Sequence, residues 1–93
     1  MKITIRAFAT LREVIDARET GLSVPPEETV GGLLENLCEA YPGLRQHLFD
    51  SAGRTKPHII VLKNGRNIAS LRQLETPIDE GDVIALFPPV AGG

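Results

Sequence analysis

Residues 81–93, GDVIALFPPVAGG, place a turn, an apolar strand and a tail of contrasting prolines and glycines in immediate succession. Every residue of Val83–Phe87 is apolar, so this segment predicts a strand with apolar side chains on both faces. Proline then fixes φ at Pro88-Pro89, whereas glycine at Gly92-Gly93 leaves φ free and has no Cβ. We therefore expect an extended tail with a specific task to follow the last strand.

The tail has one group that could react, the α-carboxylate of Gly93, because Val90 and Ala91 have only aliphatic side chains. Fully extended, residues 88–93 span at most about 20 Å, which is enough to enter another protein. A terminal carboxylate with a pKa of about 3.5 is ionised at neutral pH and is a poor electrophile. Reaction at its carbon requires prior activation, such as adenylation by a separate enzyme that consumes ATP. Gly93 is the predicted reactive residue, with Gly92 beside it.

One substantial helix is predicted in the middle of the chain. Thr29 is a good N-cap residue, and the apolar residues after it recur at helical spacing. The segment YPG at residues 41–43 ends the pattern. The predicted helix runs from Val30 to about Ala40, and its apolar face consists of Val30, Leu33, Leu34, Leu37, Cys38 and Tyr41.

Short apolar segments on either side of this helix predict strands. Lys2–Phe8 alternates, and residues 20–25 form a second short segment that ends at prolines. Residues 58–68 contain Asn64-Gly65, a dipeptide that favours a type I′ hairpin turn because both positions have positive φ. With the last strand, these segments predict an α+β fold in which a mixed sheet of four to five strands has one main helix packed on one face.

Composition and charge narrow the class of protein. A chain of 93 residues with 42% hydrophobic and 24% charged residues predicts one folded domain, residues 1–93, with a body of residues 1–87 and a tail of residues 88–93. A net charge of −2 and a pI of about 5.6 provide no basic surface for nucleic acid. The sequence has no apolar run typical of a signal peptide or a membrane helix. We expect a cytoplasmic protein with neither nucleic acid nor membrane as a partner.

Outside the tail, no residue pattern is typical of an active site. Cys38 is the one cysteine and lies on the apolar helix face, where a buried, inert thiol is expected. His47 and His58 are far apart, so we predict no metal site and a surface position for each histidine. We predict no independent catalytic site and assign solvation and turn geometry to the remaining charged candidates, Arg12, Glu13, Asp79, Glu80 and Asp82.

The apolar strands predict a partner surface. Ile59 and Val61 face one way and Ile60 and Leu62 the other, so both faces of this strand are apolar. A single helix covers only one face of a sheet, and an exposed apolar patch on the second face often marks a partner site. Phe8 is expected on the side of its strand opposite Ile3, Ile5 and Ala7.

The segment NGRNI, followed by TPIDEGDVIALFPPVAGG, resembles the ThiS/MoaD family of ubiquitin-like β-grasp sulfur carriers, in particular the small subunit of molybdopterin synthase. The resemblance implies a β-grasp fold with a flexible C-terminal Gly-Gly tail. It also implies that an E1-like adenylating enzyme (MoeB/ThiF-like) activates Gly93 with ATP and that a sulfur-donating enzyme converts it to a thiocarboxylate. The molybdopterin synthase large subunit (MoaE-like) would then take the tail into its active site.

The same resemblance implies which residues act. Gly93 and Gly92 form the reactive end, the chain binds no cofactor of its own, and the pterin is handled by the large subunit. The family's hydrophobic partner surface corresponds to Phe8 and Phe87, and the tail adds further contacts. The loop Phe49–Pro57 is longer than in the shortest members, a difference that could alter partner choice. The implied partner-binding residues are Phe8, Phe87, Pro88, Pro89, Val90 and Ala91.

Three alternatives share parts of this pattern. A sulfur carrier for the thiazole of thiamine would have the same Gly-Gly end, although the PPV before it favours molybdopterin. A ubiquitin-like modifier would be activated in the same way and then joined through Gly93 to lysine amines. A plain interaction module would use the sheet surface and leave Gly93 unmodified.

Overall fold

The protein is described by a computed structural model, which covers residues 1–15, 18–57 and 59–88. Within these residues, the five strands are β1 (Lys2–Ala7), β2 (Glu19–Ser23), β3 (Ile60–Lys63), β4 (Arg66–Asn67) and β5 (Val83–Phe87), and the α-helices are α1 (Thr10–Ile15), α2 (Val30–Ala40) and α3 (Arg45–Leu48). Three short 3-10 segments, Pro42–Leu44, Ile68–Ser70 and Gln73–Glu75, connect them.

The strands form one mixed sheet in the order β2-β1-β5-β3-β4. The first and last strands, β1 and β5, lie side by side and parallel, while the other neighbouring pairs are antiparallel. Strands that run parallel cannot be joined by a tight hairpin, so the chain between them must cross the sheet. The predicted α+β architecture of four to five strands is confirmed.

Helix α2 provides the cover for one face of the sheet, as the apolar spacing predicts. Thr29 is its N-cap residue, with an Oγ1 that accepts a hydrogen bond from Gly32 N–H at 3.3 Å. Such a cap satisfies one of the N–H groups that a helix start leaves without a partner. The residues that are fully buried between the helices and the sheet are Ile5, Leu11, Val30, Leu33, Leu34, Leu37, Leu44, Leu48, Ile84 and Leu86.

The β3–β4 hairpin turns at Asn64-Gly65, where φ is +50° and +85°. The predicted turn with two positive φ values is confirmed. Its second strand is shorter than the sequence pattern suggests and ends at Asn67. There the Asn67 side chain accepts a hydrogen bond from Ala69 N–H at 2.9 Å, which favours a 3-10 turn over continued pairing.

The loop Phe49–Pro57 begins with an ordered turn. Asp50 Oδ1 accepts hydrogen bonds from the backbone N–H groups of Ala52 and Arg54, at 2.9 and 3.0 Å. The Phe49 ring is buried and packs in the core. The start of this loop is therefore part of the folded body, while its expected influence on partner choice stays a prediction.

Candidate functional site

The ends of β1 and β5 bring two aromatic side chains together. Ala7 pairs with Leu86, and the next residue, Phe8, donates its N–H to Leu86 O at 3.2 Å. Phe8 and Phe87 thus project from neighbouring strands, with ring centroids 4.2 Å apart and ring planes inclined by 54°. Both rings are half-buried. They form the surface at which the chain leaves the sheet through Pro88.

Two guanidinium groups border the Phe8 ring. The Cζ atoms of Arg6 and Arg12 lie 5.6 and 5.4 Å from its centroid, within the range of cation–π attraction. Arg12 is held in place because its Nε donates to Ala7 O at 2.9 Å. Arg6 Nε lies 4.0 Å from a carboxylate oxygen of Glu19 on the neighbouring strand. The aromatic pair is therefore flanked by positive charge.

Apolar side chains continue from this pair across the face of the sheet opposite α2. Ile60 pairs with Phe87, and Leu62 pairs with Ala85. Among the described residues, Ile60 is the one large hydrophobic residue that is exposed, at 42%. We call Phe8, Ile60, Leu62, Ala85 and Phe87 the outer-face patch. Its position agrees with the predicted partner surface, whose binding role stays a prediction.

The structure brings together the two predicted aromatic site residues, and Pro88 follows them as a half-buried residue. The remaining predicted site residues lie outside the described part of the chain, so their reactive and partner-binding roles stay predictions. These residues are Pro89, Val90, Ala91, Gly92 and Gly93.

A buried carboxylate lies at the other end of β5. Asp82 is 5% exposed, and its Oδ2 accepts from Asp79 N–H at 2.8 Å. Its Oδ1 accepts from Asn64 Nδ2 at 2.8 Å, while Asn64 Oδ1 accepts from Val83 N–H, also at 2.8 Å. The predicted role of Asp82 in turn geometry is confirmed. The predicted solvation of Asp82 is wrong, because its carboxylate is buried and accepts hydrogen bonds from Asn64 and Asp79.

Lys63 completes this polar cluster. Its Nζ lies 3.1 Å from Asp79 Oδ2 and 3.4 Å from Asp82 Oδ2, and it donates to Pro77 O at 2.8 Å. Burial acts to lower the pKa of Lys63, but the hydrogen bond to Asp79 and the charge of Asp82 outweigh it and raise the pKa. Lys63 is therefore a protonated structural cation at neutral pH.

The other titratable candidates show no arrangement for catalysis. Cys38 is buried, and burial raises the pKa of its thiol, although nearby Arg45 acts in the opposite direction. This agrees with the predicted inert thiol. His47 is half-buried on α3, and His58 is outside the described residues. The described residues contain no group of three His, Cys, Asp or Glu side chains placed to hold a metal ion.

Sequence reasoning did not assign a site role to Arg6 or Arg12. The sequence does indicate that Arg6 lies near Phe8, because Arg6 is two residues before Phe8 on the same strand face. Arg12 is four residues after Phe8, near the start of α1. What the sequence could not show is the hydrogen bond from Arg12 to Ala7 O that holds the guanidinium over the ring. In the described part of the chain, no helix is both long and apolar enough to cross a membrane.

The mixed sheet, the covering helix and the final strand that leads into a tail define a ubiquitin-like β-grasp protein. The model of the ThiS family matches residues 5–93. The chain belongs to this family, which confirms the resemblance drawn from the sequence.

The chain is similar over nearly its whole length both to a relative named as a modifier protein and to a relative named as a sulfur carrier subunit. Small archaeal modifier protein 3 of Haloferax volcanii is 43% identical over 93 residues, which cover 100% of both proteins. The molybdopterin synthase sulfur carrier subunit of Escherichia coli is 30% identical over 97 residues, covering 98% of this chain and 99% of that protein. The crystal structure of SAMP1 from Haloferax volcanii has a TM-score of 0.89 at 38% identity and covers 100% of both chains. The predicted ubiquitin-like fold is confirmed.

Proposed function

We propose that this chain is a sulfur carrier whose Gly93 is adenylated, converted to a thiocarboxylate and used as a sulfur donor in molybdopterin synthesis. The observation that carries the proposal is the Gly92-Gly93 end, which falls within a family match that extends to residue 93. The relatives that match over nearly the full length of the chain include a molybdopterin synthase sulfur carrier subunit, which supports the sulfur-carrier role, while the choice of the molybdopterin pathway is our proposal.

Activation would turn the unreactive carboxylate into an acyl donor. A Gly93 carboxylate oxygen attacks the α-phosphorus of ATP, and pyrophosphate leaves. A sulfur nucleophile then attacks the carbonyl carbon of the mixed anhydride and displaces AMP. If that nucleophile is a persulfide, a thiol must afterwards cleave its S–S bond to release the thiocarboxylate. This chain supplies only the carboxylate, while the activating enzyme binds and consumes ATP, and no cofactor resides on this chain.

The folded body would act as the handle that partners recognise. The outer-face patch lies at the point where the chain continues from Phe87 into the tail, so a partner that covers the patch also receives Gly93 within about 20 Å. Buried aromatic residues commonly dominate the binding energy of an interface. We assign the docking contact to Phe8 and Phe87, with Arg6 and Arg12 as its charged border.

Three cytoplasmic partners follow from this cycle. An E1-like enzyme of the MoeB/ThiF type adenylates Gly93, and a sulfur-donating enzyme provides the sulfur. A MoaE-like large subunit then accepts the tail and transfers sulfur to a cyclic pyranopterin precursor. Two such transfers build the dithiolene.

The test is reconstitution of the full-length chain with candidate E1-like enzymes, ATP and a sulfur source. Intact mass spectrometry should show the replacement of one oxygen by sulfur, confined to the C-terminal peptide. Deletion of Gly93, or of Gly92 and Gly93, should abolish this mass change and leave the unfolding midpoint nearly unchanged.

A control variant tests whether the Cys38 thiol, rather than Gly93, accepts the sulfur. The Cys38→Ala variant should load to the same extent as the wild type, because its thiol is buried and its pKa is raised. Full loading of the variant that lacks Gly93, or sulfur found on Cys38, would refute the proposal.

Protein modification is the second candidate. The relative at 43% identity over the whole of both chains is named a modifier protein, which favours this function. In that case the ε-amine of a target lysine attacks the Gly93 adenylate, AMP leaves and an isopeptide bond forms. Peptide mass spectrometry of the same reaction distinguishes a Gly93–lysine isopeptide from a C-terminal thiocarboxylate.

A further inference from the structure

A cleft of about 430 Å³ lies beside the β3–β4 turn, which is a volume within the range of ligand sites. Three basic residues, Lys63, Arg66 and Arg72, line it together with apolar Leu71. The turn is adjacent to the first residue of β5, since Asn64 N–H donates to Val83 O at 2.8 Å. The cleft is therefore at the opposite end of β5 from the tail.

The three cations are not equally available. Lys63 is held by Asp79 and Asp82 and donates to Pro77 O, so its charge is largely neutralised within the fold. Arg66 and Arg72 are exposed, and neither forms an ion pair within the described part of the chain. The cleft thus presents two available guanidinium groups on a protein whose net charge is −2.

The fold holds the backbone of both arginines in place. Arg66 is the first residue of β4 and pairs with Lys63 across the Asn64-Gly65 turn. Arg72 N–H donates to the Oγ1 of buried Thr76 at 3.0 Å. The backbone of both residues is therefore fixed, so that binding has to order only the two side chains.

We propose that this cleft is a second docking site, which binds an acidic segment of a partner protein. A guanidinium group matches the geometry of a carboxylate and can donate two hydrogen bonds to it. Leu71 and Pro77 provide apolar wall for the aliphatic parts of such a segment. None of the described residues that line the cleft is a glycine, so the cleft lacks the glycine-rich loop with which proteins often cradle a phosphate group.

The position of the cleft gives the site a distinct use. Lys63, which lines the cleft, pairs with buried Ile84 and so lies on the inner face of the sheet, whereas the outer-face patch lies on the other face. The Phe87 end of the patch is four residue steps from Val83 along β5, roughly 13 Å. A protein bound at the cleft can therefore hold the body of the chain while a different protein engages the patch and the tail. This site does not depend on whether Gly93 carries sulfur or is joined to lysines.

The experiment uses the full-length chain, labelled with ¹⁵N and titrated with a hexaglutamate peptide at low salt. We expect the largest amide shifts between residues 64 and 77, and weaker binding as salt is added. The double variant Arg66→Gln with Arg72→Gln should bind at least about tenfold more weakly, a difference of about 1.4 kcal/mol. The matched control, Arg18→Gln with Arg54→Gln, makes the same change of charge at two exposed arginines elsewhere and should bind like the wild type.

A separate titration with inorganic phosphate distinguishes the carboxylate of a peptide from a small free anion. Phosphate binding at the cleft as tight as that of the peptide would overturn the proposal in favour of a small-anion site. The proposal also fails if both double variants lose affinity equally, if the shifts fall around Arg6 and Arg12, or if the peptide does not bind. Far-ultraviolet circular dichroism of each variant verifies that the fold is intact.

Discussion

Leu86 and Phe87 are neighbours in β5 and project to opposite faces of the sheet. Leu86 is 0% exposed, within the core that α2 covers, whereas Phe87 is half-buried beside Phe8 on the other face. The same alternation separates Val61 from Ile60 on β3, since Val61 is buried and Ile60 is 42% exposed. The apolar content of these strands is thus divided between two faces with different surroundings.

The difference indicates that one face stabilises the fold and the other is available for binding. Removing a fully buried side chain loses its transfer free energy and leaves a cavity. Removing a half-buried one leaves a site that water can fill. Variants at adjacent positions can therefore separate stability from docking within one strand.

The largest expected effect on stability is that of Leu86→Ala. Because Leu86 is fully enclosed, the change should lower the free energy of unfolding by about 2 to 5 kcal/mol. Phe87→Ala is the matched control and should lower it by about 1 kcal/mol. Urea denaturation measures both. Equal losses at the two positions would contradict the division of the sheet into a stabilising face and a binding face.

The next largest effect is on docking. Phe87→Asp puts an unpaired charge into an apolar contact, so affinity for the MoaE-like large subunit that we propose as a partner should fall at least about tenfold. Ser23→Asp, exposed on the same face but on edge strand β2, adds the same charge and should bind normally. Isothermal titration calorimetry measures both, and undiminished affinity of the Phe87 variant would show that the patch is not the contact surface.

The amino end of β5 offers a test of the buried polar cluster. Asp82→Ala leaves Asn64 Nδ2 and Asp79 N–H without their acceptor, which should lower the free energy of unfolding by about 1 to 3 kcal/mol. Asp79→Ala removes a carboxylate whose side chain is 75% exposed and should cost less than about 1 kcal/mol. Thermal unfolding of the two variants measures the difference. A larger loss at Asp79 would place the main stabilising partner of Lys63 at the surface.

The sequence predicted the elements that depend on residues close together in the chain. Thr29 and the spacing of apolar residues after it predicted α2, and Asn64-Gly65 predicted the hairpin turn because positive φ is a property of those two residues. Features that depend on distant pairing were not predictable in this way. The burial of Asp82 requires Asn64, 18 residues away, and the contact of Phe8 with Phe87 requires the first and last strands to be parallel neighbours.

The smallest effect concerns the helix that covers the inner face. Burial raises the pKa of the Cys38 thiol, so the folded state favours the protonated form more than the unfolded state does. Its contribution to stability is fully present below the unfolded pKa, which is about 9.0, and is lost as the pH rises through the folded pKa. The raised pKa of Lys63 acts in the same direction but only above its ordinary value of 10.5.

Between about pH 8 and pH 10, the difference in stability between the wild type and a variant without the thiol isolates the contribution of the thiol. Stability of the wild type should fall more steeply over this range than that of Cys38→Ala, which has no thiol to ionise. Phe87→Asp should retain the wild-type slope, because its change is on the face opposite α2. Urea unfolding at several pH values gives the three slopes. If the Cys38→Ala slope equals that of the wild type, the thiol is not enclosed by the core as the structure places it.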